Sequence, residues 1–97
     1  WCCFNGSTRV MNDFFNVGSI TDTGLTTYGN YYVNFENAMS NANYCVVTAS
    51  TVTTDGNAGT VHVGAKTTTN VVLGVINSYG TLAYRDAPTI NVAVFGD

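Results

Sequence analysis

Charge is what this chain has least of. Charged residues make up 9% of its 97 residues, three basic against six acidic, where a usual soluble domain carries about 25%. The three cations, Arg9, Lys66 and Arg85, are scattered and the formal net charge is −3. A nucleic-acid partner is therefore not expected, because that binding rests on neutralising phosphates with Lys and Arg. No apolar run approaches the roughly 20 residues of a membrane helix, and no signal-peptide pattern is present. Membrane insertion is not expected; either the chain never crosses a secretory membrane or its start has been removed. There is no Asp-rich calcium loop with spaced ligands and a closing Glu. What replaces charge is Thr, Asn, Gly and Ser beside 45% hydrophobic residues. Such a surface offers hydroxyl, amide and apolar contacts with few ions to desolvate, and favours self-association.

Titratable and nucleophilic groups are equally sparse. His62 is the single histidine. It alternates with Val61 and Val63, so it faces away from them on a strand. Cys45 with His62 is the one conceivable nucleophile–base pair, and nothing in their spacing places them together. One His per chain meeting on a three-fold axis would be a metal site; a solvent-facing or hydrogen-bonded strand histidine is the simpler reading, so no cofactor and no metal is expected. Cys2, Cys3 and Cys45 are odd in number. Neighbours on a strand point to opposite faces, so Cys2 and Cys3 are poor partners for each other. A Cys45 bridge to either needs adjacent strands; otherwise all three pack as small reduced hydrophobes. The carboxylates Asp13, Asp22, Glu36, Asp55, Asp86 and Asp97 lie mostly in turn signals, where Asp caps nearby backbone. Asp22 and Asp55 fall on neighbouring loops, but a glycosidase pair facing across a groove is not evident. Asn5-Gly6-Ser7 matches a glycosylation acceptor, and equally a tight turn, which is the preferred reading.

What is present is strand signal. Apolar, aromatic and β-branched runs occur at the opening Trp1–Phe4, then at 14–20, 31–35, 44–50, 60–64, 70–77 and 89–95. Turn clusters separate them: Asn5-Gly6-Ser7, Asp22-Thr23-Gly24, Tyr28-Gly29-Asn30, 54–57 and 78–80. The continuous run from Tyr44 to Val47 predicts a strand covered on both faces near its start, and Gly74 a bulge or a close backbone approach. Residues 35–43 predict a compact corner, with at most one helical turn. The expectation is one all-β domain over 1–97, a compact antiparallel β-sandwich of about six to eight short strands. With strands alternating up and down, loops 21–30, 52–59 and 78–88 gather at one end; turns 5–8, 36–43 and 65–69 gather at the other. Trp1 then enters at the long-loop end, a crowding that one crossover would remove. The long loops carry the candidate binding residues Tyr28, Asp55, Tyr79, Tyr84 and Arg85, since exposed Tyr stacks on sugars and on proteins at low entropy cost.

The order of the strand motifs resembles a module at the C-terminal ends of bacteriophage tail fibres, especially those of short-tailed phages of marine bacteria. The similarity rests on Trp1-x-x-Phe4-Asn5-Gly6, Phe15-Asn16-Val17-Gly18-Ser19-Ile20-Thr21-Asp22, Tyr31-Tyr32-Val33-Asn34-Phe35, Ala38-Met39, Ala42-Asn43-Tyr44 and the closing Val92-Ala93-Val94-Phe95. It spans nearly the whole chain. The loop Thr23 to Gly29 is longer than usual for the module, and the cysteines stand where small or polar residues are usual. The resemblance implies a non-enzymatic virion protein: a homotrimeric fibre tip, continuous with an upstream shaft and made in the host bacterial cytoplasm. Its partners would be copies of itself, other tail proteins, and a host-surface glycan or outer-membrane protein. Alternatives are a module that only trimerises, caps or assembles the fibre, and a bacterial carbohydrate-binding or adhesin module. An enzyme such as a depolymerase lacks a credible site.

Overall fold

Two antiparallel sheets face each other across one apolar core. They were described in a computed structural model covering residues 1–24, 28–54, 56–77 and 83–96. Nine strands occur among the described residues: β1 (Cys2–Phe4), β2 (Met11–Phe14), β3 (Val17–Asp22), β4 (Asn30–Phe35), β5 (Cys45–Ser50), β6 (Gly59–Lys66), β7 (Asn70–Asn77), β8 (Ala83–Tyr84) and β9 (Ile90–Phe95). The first sheet has the order β2-β1-β9-β5; the second runs β3-β4-β7-β6, with β8 also paired to β7. We refer to them as the four-stranded and five-stranded sheets.

The all-β, two-sheet architecture is as the sequence implies, and no helix forms at 35–43. The strand count exceeds the expected six to eight for two reasons. Tyr84 and its neighbour add the two-residue β8. The run at 14–20 is not one strand but a reversal: β2 ends at Phe14 in the four-stranded sheet and β3 starts at Val17 in the other. Asn16 makes the corner with φ 55°, a left-handed conformation that Asn tolerates. Its side chain also accepts the Asn37 amide at 2.8 Å and donates to Asn37 O at 3.1 Å.

Alternation fills the core. Phe4, Tyr31, Val33, Leu73, Val71, Val75 and Ile90 are fully buried. Phe4 meets Tyr31 edge to face at 5.3 Å, and Phe35 meets Tyr44 at 5.6 Å, the arrangement that aromatic quadrupoles favour. At about 25 cal/mol per Å² of apolar surface, each such side chain contributes on the order of 2–3 kcal/mol. The Tyr44 hydroxyl stays satisfied by donating towards Thr67 O and Asn70 O, both at 2.9 Å.

The extra reversal changes which turns share an end. Turn 5–8 was expected opposite the long loops; it lies with them, because Gly6 N donates to Ala87 O at 2.9 Å. Trp1 is correspondingly at the other end, exchanging backbone hydrogen bonds with Phe15. Gly96 is there too, against Tyr44 and Met39. The expected crowding of the loops by Trp1 therefore does not arise.

A second correction concerns β5. It is an edge strand of its sheet, not one covered on both faces: Cys45, Val47 and Ala49 are exposed on one side. All three cysteines are free, Cys2 buried and Cys45 exposed. With β9 between β1 and β5, Cys45 has no adjacent cysteine strand.

Candidate functional site

A short strap, Asp86 to Thr89, ties the long-loop end together. Thr89 exchanges backbone and side-chain hydrogen bonds with Thr51. Ala87 O holds Gly6, and Asp86 O accepts Thr54 N at 2.9 Å. The buried Asp86 carboxylate accepts Gly29 N at 2.9 Å and the Tyr31 hydroxyl at 2.5 Å on the same oxygen, Oδ1. Burial and this hydrogen bond together push the Tyr31 phenol well above its ordinary value. One carboxylate thus joins loop 23–29, the strap and the core. Gly29 is obligatory here. Its φ is +68°, and a Cβ would sit 2.6 Å from Arg85 O and 2.7 Å from Val75 O.

Beside the strap, Arg9 clamps turn 5–10 onto the end of β3. Its Nε and Nη2 donate to the two oxygens of Asp22 at 2.9 and 2.6 Å, and Nη1 donates to Ser7 O. Asn5 Oδ1 accepts Ser7 N and Thr8 N, so this asparagine acts as the expected turn former.

Of the five candidate residues, Asp55 and Tyr79 lie outside the described residues. Tyr28 is 52% exposed, next to the pinned Gly29. Tyr84 and Arg85 are half-buried. Because Gly29 packs directly on Arg85 backbone, segments 28–29 and 84–85 are brought together. Arg85 N donates to Val75 O at 3.0 Å and its Nη1 to Tyr84 O at 2.8 Å. Tyr84 leans on the only histidine: the rings of His62 and Tyr84 are 5.8 Å apart and tilted by 51°.

His62 lies flat over Gly74, its register partner on β7. A Cβ on Gly74 would be 2.0 Å from His62 Cε1, so the missing side chain is what admits the ring. This is the close approach expected at Gly74. His62 Nδ1 is buried without a hydrogen-bond partner among the described residues. Cys45 begins β5 beside Lys66, whose Nζ donates to Tyr44 O, four residues along β6 from His62. The two lie on different sheets, Cys45 exposed on edge strand β5 and His62 on β6 over Gly74, and no contact joins them among the described residues. No cluster of three or more His, Cys, Asp or Glu capable of holding a metal occurs among the described residues.

Sequence reasoning missed two things. Asp86 looks like a turn former and is instead a buried crosslink spanning 57 residues. The outer face of the four-stranded sheet, with exposed Val47 and Phe95, lies on runs that the sequence marked as strands but not as a surface. No family model, characterised protein or solved structure matches the chain.

Proposed function

We propose that this chain is a binding module, a self-associating tail-fibre tip that attaches a virion to a host-surface glycan or outer-membrane protein. The observation that carries the reading is the loop end. Turn 5–10, residues 28–30, residue 54 and strap 86–89 converge there, held by Asp86 and by the Gly6–Ala87 backbone hydrogen bond, while Trp1 and Gly96 both lie at the opposite end. A rigid sandwich holding loops at one end is the usual arrangement for recognition. Tyr28 supplies an exposed ring beside half-buried Tyr84 and Arg85. The charge-poor surface supports self-association, and several copies turn weak contacts into avidity. The bacteriophage context comes from the sequence resemblance.

The test is binding of fluorescently labelled protein to a panel of marine bacterial cells, before and after periodate or protease treatment. Saturable binding to some strains is expected, abolished by periodate for a glycan receptor or by protease for a protein receptor. Tyr28→Ala together with Tyr84→Ala should lose that binding while the thermal transition is retained. Undiminished binding by this folded variant would sink the loop-end assignment.

A further inference from the structure

The two sheets differ in how their outer faces are finished. On the five-stranded sheet, Asn34 Nδ2 donates across the strands to Ser19 Oγ and Thr21 Oγ1, both at 3.1 Å, and His62 covers Gly74. The same face carries Tyr32, Val72 and Ile76, each half-buried, so its apolar side chains are largely covered within the sheet itself. The four-stranded sheet has no such finish. Register places Ala93 opposite Val47, and continuing the β1–β9 ladder one residue beyond Cys2–Val92 places Trp1 opposite Ala93. Trp1 in turn exchanges hydrogen bonds with Phe15. One row across the outer face therefore reads Phe15, Trp1, Ala93, Val47. Phe15 is 70% exposed, Val47 55% and Trp1 50%; the neighbouring Phe95 is 62% exposed. The next row is Asp13, Cys3, Asn91, Ala49, with Asp13 its one acidic residue.

We infer that this face is the subunit interface, covered by another copy of the same chain, with the symmetry axis parallel to its strands. The inference rests on the self-association in the reading above and locates it. Three features select a copy of the chain as occupant. First, of the six acidic residues register places Asp13 on this face, and an axis along the strands sets it opposite Ala49 and not opposite another Asp13, so identical faces meet without close like-charge pairs and with no opposite charge to satisfy. Second, at ~150–250 Å² per aromatic side chain and these exposures, the face offers on the order of 500 Å² per chain, or ~1,000 Å² per pair, the lower bound for a specific interface. Third, the face is bulky at one edge and small at the other. An axis along the strands sets Phe15 and Trp1 of one copy against Ala93 and Val47 of the next; an axis across the strands sets bulk on bulk. The same axis points every loop end in one direction, as multivalent attachment requires. It also accounts for the Tyr44–Val47 and Val92–Phe95 runs, which have the composition of strands covered on both faces.

The experiment joins light scattering with cross-linking. The unmodified protein at about 100 µM, enough to populate a contact of micromolar Kd, should be a closed oligomer. Val47→Glu, at an exposed edge-strand site, should be monomeric with an unchanged thermal transition. In a Cys3→Ser, Cys45→Ser background, Phe15→Cys and Val47→Cys lie three strands apart within one chain, ~14 Å at ~4.8 Å per strand. A bis-maleimide shorter than that should link a Phe15→Cys chain to a Val47→Cys chain when the two are mixed, and should link neither to itself. An oligomer that survives Val47→Glu, or single variants that each link to themselves, would overturn the interface and leave the self-associating reading standing. A monomer for the unmodified protein would overturn both. Should Val47→Glu unfold, the mixed cross-link decides alone, its absence counting against the interface.

Discussion

Replacing Asp86 separates a structural crosslink from a turn former. A turn aspartate that caps its own loop is worth about 1 kcal/mol when removed. Asp86 instead receives two donors on one oxygen, Gly29 N and the Tyr31 hydroxyl, inside a buried pocket. Hydrogen bonds to charged groups contribute ~1.5–3 kcal/mol each, and part of that is offset by the cost of burying the carboxylate. Asp86→Ala should therefore destabilise by about 3–4 kcal/mol, a fall in Tm of about 15–25 °C for a domain of this size. Asp86→Asn keeps an acceptor oxygen and gives up only the charge assistance, so it should cost about 1 kcal/mol. Tyr31→Phe removes one of the two donors and should fall between, at about 2 kcal/mol. Urea unfolding followed by circular dichroism, with Trp1 fluorescence as a second probe, measures all three. The double variant Tyr31→Phe with Asp86→Asn should be less than additive, because the two changes share one hydrogen bond. If Asp86→Ala lies within 1 kcal/mol of the unmodified protein, or matches Asp86→Asn, the crosslink does not hold the loop end.

Gly29→Ala should destabilise by about 3 kcal/mol or more, since its Cβ meets backbone atoms of Arg85 and Val75 that cannot swing aside; chemical unfolding checks this, and a loss under 1 kcal/mol would contradict it. Gly74→Ala should cost about 1–2 kcal/mol by displacing the His62 ring. Adding His62→Ala should recover most of that loss, which a double-mutant cycle would show. Burial pushes the Cys2 thiol from 9.0 up to about 11 and raises the Tyr31 phenol. Both groups hold protons more tightly folded than unfolded, so their contribution is whole below pH ~9. It falls by at most ~1.4 kcal/mol per pH unit per group as alkali ionises the unfolded chain. For the thiol the fall ends near the folded value of about 11. Urea midpoints at pH 8, 9, 10 and 11 should decline in that order, and Cys2→Ala should remove most of the decline between pH 9 and 10, leaving the smaller part due to Tyr31.

The sandwich was legible because its strands alternate and its turns use Asn, Asp and Gly. The placement of loops 21–30, 52–59 and 78–88 at one end was legible by counting strands, and their described residues gather there. What failed was one reversal. Phe14 and Phe15 continue an apolar run, and nothing in their composition separates a straight strand from a corner. Asn16 with a left-handed backbone and Gly18 after it are the signal, weak without the structure. Missing that corner moved turn 5–8 and Trp1 to the wrong ends together. Of the candidate site, Tyr28 was legible as an exposed loop residue. The crosslink under it was not, because Asp86 meets Gly29 and Tyr31 across more than half the chain, a contact that no local pattern encodes.

The β5 mismatch has different content. A continuous apolar run means a strand with neighbours on both faces, and it does not say that both belong to the same chain. Within one copy, β5 packs Val46 inward and leaves Val47 in water. The neighbouring β9 repeats the pattern, with Val94 partly buried against the core and Phe95 exposed. Two paired strands showing the same excess on the same side, joined in register by Cys45 opposite Phe95 and Val47 opposite Ala93, form a surface and not scattered apolar residues. A single exposed valine needs no account, since folded surfaces are largely apolar. A row that crosses the sheet from Phe15 to Val47 does, because Phe15, Trp1 and Val47 are each at least half exposed, whereas Tyr32, Val72 and Ile76 on the outer face of the other sheet are half-buried among their neighbours. The difference in exposure between the two outer faces of one small domain is therefore the observation on which the proposed interface rests.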